Sequence, residues 1–577
     1  MCRPARRYAS AALYLIVLLA AEFLLGDTQA QAAVNTPSAK TTPHRAKKAE
    51  DFGIPQVALI NAQIRHGWEA GGLAPSGPAT DNEWCRRLFL DLLGRIPTVT
   101  ELNAFLADRT PNKKLKLVDR LLGDEYIEEY ARNWTTLWSN VLVGRSGGSS
   151  DEDRRTNRQG LQQSLRRAMQ RNTTYDRFVY DLISAQGKSR PGSEGFNGYV
   201  NFLANKLDDD GVQATAKTSQ IFLGVQVQCT QCHNHPFNEW KQNQFWEMNA
   251  FFRQTKSLRK YVGGRQLDYV ELTNQDFAGE NNNPEDAAVF YDQRNSYRVA
   301  AYPVFIDGTK LKTQSGYLDS IDRRTELAKL VTRAPELSRA VVNRYWAHFL
   351  GYGFTKPIDD MGPHNPPTHP ELLDGLAKEL RTRSYDLKQL VRWITLSEAY
   401  GLSSKYGPKN KRDDPAMGEK PVFSRFYLRQ MRAEELYDSL LVSTEAHKTR
   451  GSYEEQETLK QEWLSQFVIA FGTDENDETT TFNGTIPQTL MMMNGELVDQ
   501  ATKIEKGSFL ERIASDPKLS NTERIQYLFM AALARKATSN ETAGANQLLA
   551  HRGGNVPAAL QDIWWALLNS NEFILNH

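Results

Sequence analysis

The residues with the clearest chemical signature form the run Cys229-Thr230-Gln231-Cys232-His233. This is the C-x-x-C-H pattern of covalent c-type haem attachment. Two thiols at this spacing can form thioethers with both vinyl groups of a haem, while the adjacent imidazole takes an axial position on the iron. The run therefore predicts haem c, with Cys229 and Cys232 as thioether sites and His233 as an axial ligand to the haem iron.

A second axial ligand would make the iron six-coordinate, and Met248 and His235 are the nearest candidates along the chain. Because His235 follows His233 by only two residues, we expect it to pack or hydrogen-bond near the motif rather than to reach the opposite face of the same haem. Met248 falls in a segment with helical periodicity, where methionine is commonly a core residue.

The same run permits three other interpretations. Cys229 and Cys232 could form a disulfide, redox-active if His233 tunes the thiolate. They could instead bind zinc together with His233 or His235, although a closed four-ligand site would then need distant residues because the chain has no second C-x-x-C pair. In the third interpretation the run is only a packed turn, with no cofactor, and the Phe and Trp residues that follow it are ordinary core.

A second polar cluster, Asp359, Asp360, His364 and His369, lies far along the chain. Two carboxylates and two imidazoles within a dozen residues could bind a metal or act as acid and base. A structural role is the alternative: proline-rich loops are held by Asx turns, and Pro370 suits the first turn of a helix that begins there. The chain has no phosphate loop, dinucleotide fingerprint or H-E-x-x-H motif.

The elements that must position these residues are predicted to be mainly α-helical. Apolar residues recur at helical spacing in 51–256, which contains the C-x-x-C-H run, and again in 322–577. Between them, 257–321 has short strand-like stretches and turn signals, as in Leu267–Leu272 and Tyr302–Gly308. We therefore expect two helical domains joined by a small β-containing segment, with a helix from Thr215 to Val227 delivering the motif.

The N-terminus predicts export. Arginines precede an apolar run from Ala11 to Ala21, and Ala30-Gln31-Ala32 suits cleavage after Ala32, as in a signal peptide (1–32); 33–50 is a small, polar, basic tether. No later stretch is long and apolar enough for a bilayer, so no integral span should remain after cleavage, and the periplasm or cell surface is the expected location. With 70 Lys+Arg against 69 Asp+Glu, no overall charge favours nucleic acid as a partner.

One internal similarity stands out. Leu88–Arg95 recurs in outline as Leu528–Arg535, and each run is followed by a Thr and then a Glu. Both predict an apolar helix, a basic residue placed to suit the helix dipole, and a capped second helix. No fixed period recurs, so a shared packing unit is favoured over a solenoid.

The longer motifs resemble a known family, and they fall in both halves of the chain. They are Leu88–Thr98, Leu117–Leu122 and Phe222–Phe237 in the first half, and Val342–Gly351, Asp359–Pro363, His369–Leu373 and Ala566–Phe573 in the second. The chain is similar to planctomycete-type proteins that pair an N-terminal cytochrome-like domain with a planctomycete-specific C-terminal domain, both of unknown function. Asn234 stands where that family usually has Asp, and the cysteines and His233 are intact.

Together these features predict an exported, cytochrome-like protein that binds haem c and has an electron-transfer or redox role. Its partner would be a redox protein or an exported polymer. The alternative is a non-haem envelope protein, either a metal- or disulfide-supported enzyme or a cell-surface scaffold. In that case Asp359, Asp360, His364 and His369 are its best-placed polar groups.

Overall fold

The structure is a computed structural model that describes residues 50–145, 155–264 and 266–444, scattered positions between 452 and 504, and 508–577. The predicted signal peptide (1–32) and nearly all of the predicted tether (33–50) therefore lie outside the described residues. Helix makes up 54% of the described residues and strand 8%, so the mainly α prediction is confirmed.

The first helical region runs from residue 55 to residue 249. Its helices are α1 (Pro55–Ala70), α2 (Asp81–Leu93), α3 (Val99–Ala107), α4 (Lys113–Leu122), α5 (Ile127–Val143), α6 (Arg158–Gln170), α7 (Tyr175–Ser184), α8 (Val212–Thr218) and α9 (Gln242–Asn249).

The second region begins at residue 323. Its helices are α10 (Arg323–Arg333), α11 (Pro335–Leu350), α12 (Pro370–Thr382), α13 (Leu387–Thr395), α14 (Ala433–Ser443), α15 (Phe509–Ser515), α16 (Asn521–Leu533), α17 (Ser539–His551), α18 (Val556–Leu568) and α19 (Asn571–Ile574).

The strands form three small antiparallel sheets. They are β1 (Gly187–Lys188), β2 (Thr255–Val262), β3 (Gln266–Asn274), β4 (Val289–Asp292), β5 (Arg298–Ala301), β6 (Arg429–Gln430) and β7 (Leu575–Asn576). The sheet orders are β1-β3-β2, β4-β5 and β6-β7. The strand expected at Leu267–Leu272 is part of β3. Tyr302–Gly308 is not a strand: Val304 makes only an isolated bridge to Lys310, and the chain turns at Gly308, where φ is +87°.

Buried apolar side chains form two large clusters. The first contains residues of α1 to α9 and also of α10 to α13, so it joins the two helical regions across the β-containing segment. The second contains Leu90 and Ile96 together with residues of α14 to α19. Each cluster therefore combines residues of both helical regions. The domain bounds 51–256 and 322–577 stay a prediction.

The internal similarity corresponds to a repeated helix pair. Helix α2 begins with a capping box between Thr80 and Glu83, and α16 begins with the same box between Ser520 and Glu523. The following helices α3 and α17 start with further capping boxes, Thr98 with Glu101 and Thr538 with Glu541. Because each box satisfies otherwise unpaired N–H groups at a helix start, the two sequences specify the same local structure.

The basic residue after each repeated helix has a different role from the one predicted. The Arg95 guanidinium forms an ion pair with Glu101, and Arg535 forms the matching pair with Glu541, both at 2.9 Å or less. Each arginine therefore bonds to the capping glutamate of the next helix. The predicted interaction with the helix dipole is corrected to a salt bridge that fixes the turn between two helices.

The turn between the paired helices requires a left-handed residue, which is Gly94 in the first copy and Ala534 in the second, with φ of +73° and +57°. We expect Ala534→Gly to raise the free energy of unfolding by about 0.5–1 kcal/mol, because relief of left-handed strain exceeds the entropy that glycine adds to the unfolded chain. Gly94→Ala should lower it by about 1–2 kcal/mol, since a Cβ there would lie 2.7 Å from Asn133 Oδ1. Urea unfolding measures both, and shifts of the same sign would contradict this account.

Candidate functional site

The helix that leads to the C-x-x-C-H run ends earlier than predicted. Helix α8 continues as a wider π-helical turn over Ser219–Leu223, and the chain then bends at Gly224, where φ is +67°. A side chain at this position would collide with Met361, so the bend depends on glycine. Val225 to Val227 therefore lie outside the helix, and a short 3-10 turn, Gln228–Gln231, carries the first cysteine.

The two residues between the cysteines anchor this turn. Thr230 is fully buried, and its hydroxyl donates to the Val227 carbonyl at 2.6 Å. The Gln231 carbonyl accepts hydrogen bonds from Gln242 Nε2 at 3.2 Å and Trp246 Nε1 at 3.1 Å, both on α9. With the intervening residues fixed inward, Cys229 and Cys232 are exposed and free.

The hydrogen bond of His233 assigns its tautomer. Its Nδ1 lies 2.7 Å from the Asn234 carbonyl oxygen. A carbonyl only accepts, so Nδ1 carries the proton and Nε2 keeps a lone pair. This second-sphere contact is the one commonly made by metal-ligating histidines. The Asn234 side chain in turn accepts from the Gln242 backbone N–H at 3.0 Å, at the start of α9, a contact that the family's usual Asp could also make.

His235 has the opposite hydrogen-bonding pattern. Its Nδ1 accepts from the backbone N–H groups of Phe237 and Asn238 at 3.2 and 3.1 Å, so the neutral ring carries its proton on Nε2. Burial lowers the pKa of His235 against the opposing effect of the Asp360 carboxylate. Of the two neighbouring imidazoles, His233 alone therefore presents a ring nitrogen with a free lone pair.

Met248, the other predicted axial candidate, lies on α9 and is 1% exposed. It belongs to the first apolar cluster. Its role as an iron ligand stays a prediction, as does that of His235.

The structure brings most of the second polar cluster to this site. The loop between α11 and α12 packs on the bend at Gly224, and the Met361 N–H donates to the Gly224 carbonyl at 2.7 Å. His364 Nε2 donates to Asp360 Oδ1 at 3.1 Å, and the His364 and His235 rings are 6.4 Å apart between centroids. Asp360 and His364 therefore lie beside the C-x-x-C-H run, although well over a hundred residues separate them in sequence.

Asp359 also lies where the α11–α12 loop packs on the bend at Gly224, and the sequence did not predict its hydrogen-bond partners. Its carboxylate is 2% exposed and accepts from Gln220 Nε2 at 2.7 Å and from Gln226 Nε2 at 3.0 Å. The two glutamines stand on either side of the bend at Gly224. The sequence around Gln220 and Gln226 does not identify them as partners of a buried carboxylate, because a glutamine between apolar residues can as well lie on a solvated surface.

His369 lies apart from the other three. It precedes Pro370, which begins α12 as predicted, and it is 8% exposed. Its ring packs near Phe354 and Phe423, with centroids 6.1 and 5.5 Å away. Burial lowers the pKa of His369 to about 4, so it is a neutral core residue at pH 7.

In the described ranges, no group of three or more His, Cys, Asp or Glu side chains is arranged to hold a metal ion. No helix of the part that the structure describes has the length and apolar character needed to cross a membrane.

Comparison with known proteins identifies two family matches. The model of the first, PSCyt2, described as Protein of unknown function (DUF1549), matches residues 59–257, which include the C-x-x-C-H run. The model of the second, PSD1, described as Protein of unknown function (DUF1553), matches residues 323–549, which include the loop of Asp359. No curated protein and no solved structure matches the chain. Residues 59–257 thus match one family of unknown function, DUF1549, and residues 323–549 match another, DUF1553.

Proposed function

We propose that this chain is an exported protein that binds haem c covalently through Cys229 and Cys232, with His233 as axial ligand, and that it serves electron transfer or a redox step. Each thiol would add across one vinyl double bond of the haem, sulfur to one carbon and hydrogen to the other, so no leaving group is needed. The bound haem would supply a one-electron iron couple.

The observation that carries this proposal is the state of the three motif side chains. Thioether formation needs two accessible free thiols, and both cysteines are exposed and free. Axial ligation needs an imidazole lone pair, and the Nδ1 hydrogen bond of His233 leaves one on Nε2. The donor set thus fits haem c by its chemistry.

Location in the periplasm or at the cell surface is part of the proposal. It rests on the N-terminal sequence, which lies outside the described residues. Attachment of haem c is typical of exported compartments, so the two parts of the proposal agree with each other.

The test is to express the full chain, with its own leader, in a bacterium that has a c-haem maturation system. We expect a Soret band, an intact mass increased by one haem, and haem staining that survives a denaturing gel. Cys229→Ser/Cys232→Ser should abolish all three signals, because no thioether can form.

The two neighbouring histidines supply a matched pair. His233→Gln should alter the Soret band and reduce attachment, because the lone pair for iron is lost. His235→Gln should retain covalent haem. An exported, folded wild-type chain that carries a Cys229–Cys232 disulfide or bound zinc in place of haem would overturn the proposal.

A further inference from the structure

The junction between the α11–α12 loop of the second family domain and the bend at Gly224 contains a buried carboxylate, that of Asp359. Gln220 belongs to the π-helical turn before Gly224, and Gln226 belongs to the segment that follows it and enters the C-x-x-C-H turn. By accepting one hydrogen bond from each, Asp359 ties both arms of the bend to a loop of the second domain.

That loop is itself held by the core. Asn343 of α11 is fully buried, and its Nδ2 donates to the Ile358 carbonyl and to Thr355 Oγ1, both at 2.8 Å. Its Oδ1 accepts from the Phe354 N–H at 2.6 Å. Helix α11 is therefore linked to the segment that carries the cysteines. Asn343 holds Ile358 by a hydrogen bond, the peptide bond joins Ile358 to Asp359, and Asp359 accepts from Gln226.

The charge of Asp359 is stabilised mainly by amide donors. Within the described ranges no lysine or arginine forms an ion pair with it, and Lys217 is linked to it through Gln220, whose Oε1 accepts from Lys217 Nζ at 2.9 Å. This contact also fixes which way the Gln220 amide points. The Gln226 side chain makes no such second hydrogen bond with the part of the chain that the structure describes, so its amide can turn over.

We propose that Asp359 is a positioning residue for the C-x-x-C-H turn: the second domain holds the turn in place through this carboxylate and places a negative charge beside it. The part of this inference that concerns redox potential rests on the proposed function. The part that concerns position does not require haem.

Two substitutions separate position from charge. Asp359→Ala removes both acceptors. Asp359→Asn can keep both contacts, because its Oδ1 can accept from the fixed Gln220 amide and its Nδ2 can donate to Gln226 once that amide turns over. Asp374→Ala is the surface control, since Asp374 pairs with Arg339 on the exposed side of α12, with 59% of its side chain accessible.

The first measurement is hydrogen exchange of the full-length apo protein, followed in peptides that cover residues 219–233. We expect Asp359→Ala to speed exchange there by about tenfold or more, because losing two charge-assisted hydrogen bonds lowers the local opening free energy. Asp359→Asn and Asp374→Ala should exchange at nearly the wild-type rate. Peptides from 520–568 report global stability and should not change.

The second measurement is the reduction potential of the haem-loaded protein. Asp359→Asn should shift it to a more positive value, because removing a buried negative charge favours the reduced iron. A purely structural role would leave the potential of this variant unchanged.

The outcomes are separable. Wild-type exchange in Asp359→Ala, or an equal increase in the 520–568 peptides, would overturn the positioning role. Faster local exchange in Asp359→Ala alone, with no haem attached to any variant, would support the positioning role while the proposed function fails. An unchanged potential in haem-loaded Asp359→Asn would overturn the electrostatic part.

Discussion

Replacing Asp91 by Ala is expected to lower the free energy of unfolding by about 3–5 kcal/mol, the range for removing one partner of a buried ion pair. The Asp91 side chain on α2 is completely buried and forms an ion pair with Arg429. It also accepts from the Tyr400 hydroxyl at 2.7 Å and from Asn576 Nδ2 at 2.8 Å. Without this carboxylate the Arg429 side chain, 14% exposed, would remain buried without its ion-pair partner, and Glu435 would be the carboxylate left to act on its charge.

This network joins α2 to residues of the second helical region, Tyr400, Arg429 and Asn576. Next to it, Arg86 donates to the carbonyls of Ala532 and Phe573 at 3.0 and 2.8 Å, and Arg87 donates to those of Leu402 and His577 at 3.0 and 3.2 Å. Burial lowers the pKa of both arginines to about 10. Two arginines of α2 therefore donate hydrogen bonds to the backbone of residues 573–577.

The measurement for Asp91 is urea unfolding followed by circular dichroism. Asp119→Ala is the matched control, because Asp119 pairs with Arg392 at the surface, where 47% of the Asp119 side chain is exposed; it should cost less than about 1 kcal/mol. Asp91→Asn keeps the shape if the alanine variant fails to accumulate. Equal, small losses in the Asp91 and Asp119 variants would contradict the account.

Acidification from pH 7 to pH 4 should destabilise the fold strongly, in part through His369 and His348. Burial lowers the pKa of His369 to about 4 and that of His348 to about 3, against about 6.5 in an unfolded chain. Below pH 6.5 the unfolded chain binds protons that the folded state does not. The stabilising effect of these neutral rings is therefore complete above pH 6.5 and is lost as the pH falls towards 4.

For His369 the expected loss is about 3 kcal/mol by pH 4. The test compares urea unfolding of wild type and His369→Gln at pH 7 and pH 4. The variant should be less stable at pH 7, because its side chain no longer fills the space beside Gly67. In the wild type the His369 ring lies so close to Gly67 that a Cβ added to that glycine would be 2.7 Å from His369 Nε2. It should lose less stability on acidification than wild type. His551→Gln, at an exposed site, is the control, and an identical pH dependence in His369→Gln and wild type would rule out this role for His369.

Much of the local structure was predictable because its determinants are neighbours in sequence. The apolar helix predicted in the run Leu88–Arg95 is the last part of α2, which left-handed Gly94 closes and the capping box of Thr80 with Glu83 opens. The same reasoning located the strand at Leu267–Leu272 and the start of α12 at Pro370. It was wrong where a contact from elsewhere decides the backbone: the helix expected to reach Val227 stops at Gly224, against which Met361 packs.

By itself the sequence determined the chemical types at the site, the helical class of the fold and the repeated capped helix pair, because periodicity, capping and C-x-x-C-H spacing act over a few residues. The tertiary structure decided which distant groups meet. It placed Asp359, Asp360 and His364 against the cysteine-bearing turn and put His369 in the core. It also distinguished the tautomers of His233 and His235, since the proton on an imidazole follows the hydrogen-bond partners that folding supplies.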